Sequence, residues 1–285
     1  MNDVVVEFGS ARYQDVADRF VSGADVPEET LRHTWQETTQ PTIVADFSIY
    51  QDLLRAVRAI NAGLPNDRHL RVLLGDPPIE WEHVTTKADF DRWLEQRDSF
   101  AADLVRREVL SKGRRALVIY GGMHLQRLNV MSNYDMTLPV EQTVVSLLER
   151  DAPRSVFTIL PVELESLQAD VVSWPKPSLA VVTGTTLGTT DFSAFRPRNE
   201  TRVSIEAGRF TPVPRDRWKA LRAQDQMDAV MYEGPKDSIS FSKPALSLCA
   251  DPEHVRVRLA RIALIGLPPV EADRLKQYCA SVGRK

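Results

Sequence analysis

The sequence predicts an α/β protein, a mainly parallel sheet flanked by helices, with an irregular C-terminal third. Short β-branched runs alternate with longer amphipathic segments over residues 1–150, which is the rhythm of βα units. A chain of 285 residues can bury about three quarters of its unfolded surface. With 43% hydrophobic and 26% charged residues, the composition is that of an ordinary globular protein. Disorder, collagen and coiled coil are excluded. One domain spanning 1–285 is expected, regular over 1–150 and less regular over 151–285.

Val4 to Phe8 reads as the first strand and Ala11 to Val21 as the helix after it. Pro27 opens a helical segment running through Trp35. A helix over Asp46 to Asn61 follows, with Ile49, Leu53, Leu54, Val57 and Ile60 at three-and-four spacing. Leu70 to Leu74 is a strand ended by Gly75-Asp76-Pro77-Pro78, because prolines cannot continue a central ladder. Asp89 to Ser111 reads as one long helix closed by Gly113, and Ala116 to Tyr120 as a third strand halted by Gly121-Gly122.

Farther on, the pattern predicts a helix over Val140 to Arg150 and strands over Ser155 to Leu160 and Leu179 to Thr183. The segment Gly184 to Gly188 reads as a loop and Arg202 to Ile205 as a weak strand. Arg215 to Gln226 reads as a helix, Asp228 to Tyr232 as a strand, and His254 to Ile265 and Pro269 to Ser281 as closing helices.

Lys and Arg number 36 against 39 Asp and Glu, a net charge of -3. No general attraction to phosphate backbones or anionic lipid follows, so neither nucleic acid nor membrane is an expected partner. No apolar stretch approaches the roughly 20 residues that span a bilayer, and the N-terminus lacks the features of a signal peptide. A cytoplasmic protein is expected. Cys249 and Cys279 lack the number and spacing of a disulfide framework or zinc site and read as inert thiols.

Residues just past the C-terminal ends of parallel strands gather along one edge, where open α/β proteins bind ligands. Glu7 ends one strand, Asp76 a second, and His124 lies three residues past a third. Two carboxylates and an imidazole at one rim can hold a divalent metal or move protons to and from water. Gly121 and Gly122 permit a sharp turn and close approach of backbone to ligand. Plainer readings stand beside these. Asp76 suits an Asp-Pro turn, Glu7 a structural salt bridge, His124 a helix cap and Arg97 a surface charge. The histidines at 33, 69, 83 and 254 fall in polar contexts and are expected to be solvated. Gly184 to Gly188 lacks the lysine of a P-loop and the third glycine of a dinucleotide fingerprint.

The succession Val-Val-Val-Glu7, Arg58-x-x-Asn61, Leu-Leu-Gly-Asp76, Arg97-Asp98 and Gly121-x-x-His124 resembles the superfamily of erythromycin esterase-like proteins. That superfamily also takes in the ChaN-like haem-uptake proteins and the TraB and Tiki families. The similarity covers residue 3 to about 128 and continues faintly through Gln226-Met-Asp-Ala-Val-Met-Tyr-Glu-Gly234. It implies that Glu7 is the strand-end glutamate of the site, that Gly121 with His124 is its second histidine motif, and that Arg97 matches a helical arginine. Arg58, Asn61, Asp76, Gly121 and Gly122 are then the ligand-binding candidates. The superfamily's first motif, Gly-Glu-x-x-His, has no counterpart before Glu7, so a missing upstream segment and weak or absent catalysis are expected. That absence also predicts an exposed side of the Val4 to Phe8 strand, through which a homo-oligomer could form.

Two functions are in view. One is a hydrolase acting on an ester, lactone or peptide bond, with Glu7 and His124 orienting water or holding a metal. The other is a non-catalytic protein binding haem or another small molecule, with His124 as a contact. The cofactor is thus a divalent metal, haem or none, and the partner is a small-molecule ligand or substrate.

Overall fold

The computed structural model describes residues 2–128, 142–161, 171, 173–195, 202–206, 209–218, 220–240 and 242–282. It is an α/β protein. The chain divides into two compact units, Met1–Ile119 with Phe241–Lys285, and Tyr120–Ser240.

In the first unit a three-stranded sheet has the order β2-β1-β3, where β1 is Asp3–Ser10, β2 Arg71–Asp76 and β3 Ala116–Ile119. Both pairings are parallel. Valines at 4, 5 and 6 favour the extended chain and are all buried. Arg114 grips the fully buried carboxylate of Asp3 through bonds of 2.7 and 2.8 Å, which anchors the start of β1. The expected exposed side of the Val4 to Phe8 strand is not found. Because β1 is central and hydrogen-bonded on both edges, it offers no pairing surface for a second copy. The exposed apolar residues of this sheet stand on β3 instead, at Leu117 and Ile119.

One face of the sheet is covered by α1 (Gln14–Val21), α2 (Glu28–Gln36) and α3 (Ser48–Asn61). Val16, Leu31, Trp35, Leu54 and Val57 from these helices pack with Val4, Val6, Val72 and Leu74. Ile49 and Ile60, expected in the buried stripe of α3, are half exposed, at 51% and 50%. The buried residues of α3 are Leu54, Val57 and Asn61.

The expected single helix over Asp89 to Ser111 is two helices, α4 (Lys87–Leu94) and α5 (Arg97–Glu108), followed by a 3-10 turn at Leu110–Lys112. Thr86 and Asp89 form a capping box that starts α4. At the break, the Gln96 amide turns back to the Trp93 carbonyl in a tighter bond, and the ladder restarts at Arg97. The break places Arg97 in the first position of α5, buried.

The chain returns to this unit with α7 (Pro252–Leu264) and α8 (Pro269–Val282). Helix α6 (Val144–Asp151) belongs to the second unit. Asp251 caps α7 by accepting the His254 amide at 3.0 Å. Helix α7 docks through the buried Asp46, whose Oδ1 accepts from Gln36 Nε2 at 2.9 Å and from Arg258 Nη2 at 3.3 Å, with His254 Nε2 at 3.0 Å. Arg258 Nε also lies 3.3 Å from Asp46 Oδ2, an ion pair without hydrogen-bond alignment. Burial alone would raise the Asp46 carboxyl, but the Arg258 charge and the His254 bond outweigh it and hold the group below the usual range. His254 is thus enclosed rather than solvated. Cys249 and Cys279 are joined in a disulfide, not held as separate thiols, and tie the turn before α7 to α8.

The second unit has a mixed sheet of order β4-β8-β5, with β4 Ile159–Pro161, β5 Ser178–Val181 and β8 Ala229–Tyr232. Strand β4 runs parallel to β8 and β5 antiparallel to it. A hairpin, β6 (Arg202–Glu206) and β7 (Arg209–Val213), adds a strand not expected from the sequence. The expected helix over Arg215 to Gln226 is instead two 3-10 turns, Arg215–Arg217 and Ala223–Asp225, with a bridge from Asp191 to Arg222 between them. Thr186–Thr189, overlapping the end of the expected loop Gly184 to Gly188, is one helical turn. The first two residues of the expected helix Val140 to Arg150 lie outside the described residues, and α6 begins at Val144.

Strand β1 carries a bulge in its C-terminal half. Val6 pairs with Leu74 but Ser10 pairs with Asp76, so four steps along β1 match two along β2. Gly9 makes this possible. A Cβ there would lie 2.7 Å from Leu74 Cδ2, 2.9 Å from Val6 Cγ2 and 3.1 Å from Leu74 Cα. Because the last of these atoms is backbone, Gly9→Ala is expected to lower unfolding free energy by about 1–3 kcal/mol. Urea denaturation checks this, and an unchanged midpoint would show that the bulge accepts a side chain.

Candidate functional site

Bulges turn side chains away from the regular alternation of a strand. Here the bulge carries Glu7, and Pro77 and Pro78 stop β2 directly after Asp76. Between Glu7, inside β1, and Asp76, at the end of β2, lies Arg97. Its Nη2 donates to Glu7 Oε1 at 2.6 Å and its Nε to Asp76 Oδ1 at 3.3 Å. All three residues are buried, with exposures of 6% for Glu7, 1% for Asp76 and 8% for Arg97. An arginine at a helix N-terminus faces the positive end of the helix dipole, an unfavourable placement that the two carboxylates offset.

Asp76 has a second support that sequence spacing does not disclose. The Thr39 amide donates to its Oδ2 at 2.6 Å and the Thr39 hydroxyl to its Oδ1 at 2.7 Å. The segment bearing Thr39 is held in turn by Trp81, whose indole N–H donates to the Thr38 carbonyl at 3.1 Å. Ser10, paired in register with Asp76, is fully buried, and its hydroxyl has no hydrogen-bond partner among the described residues. The Tyr50 ring lies tilted against Phe8, with ring centroids 5.2 Å apart. Burial, reinforced by the Glu7 charge, pushes its phenol well above the usual range, so it stays protonated.

Burial dominates the electrostatics of Asp76. It pushes the carboxyl up to about 6, against the lowering effects of Arg97 and the two Thr39 bonds, and the Glu7 charge adds to the rise. Two carboxylates therefore share one guanidinium, and the less accessible of them titrates close to neutrality. Such a set can hold, accept or release a proton beside a polarised bond. Among the described residues no three His, Cys, Asp or Glu side chains are grouped as metal ligands.

The structure thus brings Glu7, Asp76 and Arg97 together. Arg58 and Asn61 are not with them. Arg58 donates to the carbonyls of Phe20, Gly23 and Ala24 and lies over the Phe20 ring, closing the C-terminus of α1. Asn61 donates to the carbonyls of Val21 and Leu70 and accepts from the Leu70 amide, splicing α1 to the start of β2. Leu70 and Asp76 stand at opposite ends of β2, a separation of roughly 20 Å along a strand. His124 belongs to the second unit, where its amide donates to the Gly121 carbonyl at 2.9 Å and its ring meets Tyr120 edge-on at 6.1 Å. Gly121 and Gly122 form part of that turn.

The Asp76 environment makes stability depend on pH. Folding raises this pKa from 3.8 to about 6, so the folded state holds the proton more tightly than the unfolded chain does. The resulting stabilisation is full below the unfolded value and is lost as pH rises through the folded one. Relative to Asp76→Asn, which carries no such proton, the native chain is expected to lose roughly 1–3 kcal/mol between pH 4 and 7. Urea midpoints of the two proteins across that range check this, and parallel pH profiles would refute it.

Set against known protein families, curated proteins and solved structures, the chain matches none of them.

Proposed function

We propose that the chain is a hydrolase-type protein of the erythromycin esterase-like kind, acting on an ester, lactone or peptide bond through Glu7, Asp76 and Arg97. The observation that supports this most is a fully buried strand-end carboxyl with a pKa near 6, joined to a second carboxylate by one arginine. In this reading Glu7 accepts the proton of the attacking water. Arg97 fixes the Glu7 carboxylate and lends positive charge to the oxygen that becomes negative. Asp76, held by Thr39 and Arg97, takes or gives the proton that keeps the set's charge constant as that oxygen develops. The sequence resemblance implies an acid–base role for His124, which lies in the second unit.

A second reading is a small-ligand or haem-binding protein without catalysis. What favours it is that Arg97 already bonds both carboxylates, a self-satisfied arrangement that would serve recognition of a polar group. The sequence predicts a cytoplasmic location. The Cys249–Cys279 bridge stands against it, because disulfides persist in oxidising compartments.

Hydrolysis of a panel of esters and lactones, with and without chelator, separates the readings. Glu7→Gln is expected to reduce turnover on the order of 100-fold or more while the fold is kept. Saturable ligand binding without turnover would favour the second reading. Turnover unaffected by Glu7→Gln would overturn the role of this site.

A further inference from the structure

The segment Gln226-Met227-Asp228, directly before β8, has no role in the proposed function so far. Met227 packs in the core, while Gln226 and Asp228 turn to one use. Gln226 is fully buried, and its amide pairs with the backbone of Leu128 in both directions. Its Oε1 accepts the Leu128 amide at 2.9 Å and its Nε2 donates to the Leu128 carbonyl at 3.1 Å. A side chain thereby replaces a neighbouring strand. One residue earlier, Arg127 Nη2 donates to Asp228 Oδ2 at 2.7 Å and its Nε to Glu149 Oε2 at 3.1 Å. The same Asp228 oxygen accepts the Thr158 amide at 2.7 Å, which joins the cluster to the lead of β4. At the next residue back, the Gln126 carbonyl accepts the Thr143 hydroxyl at 2.6 Å, from the residue that caps α6. Three consecutive residues, 126 to 128, are fixed to α6 and to the lead of β8, and His124 lies two residues before them.

We propose that Gln226 and Asp228 are positioning residues for His124. They act through Leu128 and Arg127, holding the segment after the Gly121 turn so that the imidazole keeps one orientation. This inference rests on the reading of His124 as an acid–base group. Its geometry stands entirely within the second unit. The spacing explains why a buried glutamine is retained at the lead of a strand. A hydrocarbon side chain of similar size would leave the Leu128 amide and carbonyl unpaired in the interior.

The test reads the imidazole itself in the full-length 15N-labelled chain, with the His124 ring signals identified by their loss in His124→Ala. Gln226→Ala is expected to move the His124 titration midpoint by on the order of 0.3 pH units or more, or to broaden its ring signals. Hydrogen exchange at the Leu128 amide should accelerate at least about tenfold. Gln226→Glu, which keeps the acceptor for that amide, should restore part of the native signal. Asp228→Asn carries the test if Gln226→Ala fails to fold, and is expected to shift the His124 signals in the same way. Arg222→Ala, which removes only an exposed ion pair with Asp225, should leave them unchanged. Folded Gln226→Ala and Asp228→Asn proteins with native His124 signals and midpoint would overturn the proposal. If the anchor behaves as expected while His124→Ala hydrolyses as well as the native chain, the functional reading fails and the positioning does not.

Discussion

One guanidinium holds together the region of the first unit where β1 bulges and β2 stops. Arg97 is buried at the start of α5 and is shared by one carboxylate from the bulge of β1 and one from the end of β2. Burying three ionisable side chains is costly, and attraction between them compensates only when geometry is tight and the remaining lone pairs are satisfied. The surrounding structure supplies that geometry. The bulge at Glu7–Gly9 brings one carboxylate over, the Pro77-Pro78 stop ends β2 at the other, Thr39 bonds both oxygens of Asp76, and the break at Glu95–Gln96 turns Arg97 inward.

Each of these devices is a departure from regular structure. A helix running unbroken from residue 87 to 108 would carry the Arg97 position along a continuous ladder, and a regular β1 would send Glu7 along the strict alternation of the strand. The protein accepts the loss of a ladder step and of a strand register at one edge of its sheet. Local irregularity is concentrated here around buried charge. The Asp46 cluster offers a contrast within the same unit. It too buries a carboxylate with an arginine, but it lies where α7 docks, its pKa is lowered, and its partners are structural.

The sequence discloses the larger features because they follow from periodicity and from residues that forbid continuation. Pro-Pro after Asp76 is enough to place that carboxylate at a strand end, whereas Glu7, expected at the end of its strand, lies inside β1 just past the last regular pair at Val6. Spacing cannot show partnerships made across the chain. Thr39 lies 37 residues from Asp76, and the amide of Asn61 is consumed by backbone groups of Val21 and Leu70 that no motif reveals. Arg58 and Asn61 look like site residues in sequence because a polar residue at a helix end suits either a ligand or a neighbouring carbonyl. The bulge had a signal, since a glycine inside a strand marks close backbone approach. The disulfide had none, because thirty residues of separation and only two cysteines do not distinguish a bridge from two thiols.

The central claim is that Arg97, Glu7 and Asp76 form one charge unit rather than three neighbouring side chains. Urea unfolding of Arg97→Met, alone and combined with Glu7→Gln and Asp76→Asn, tests it most directly. Removing the arginine alone leaves two buried carboxylates uncompensated and should cost about 3–5 kcal/mol. Neutralising all three should recover much of that loss, making the triple variant more stable than Arg97→Met. A triple variant whose loss equals the sum of the single losses would contradict the account.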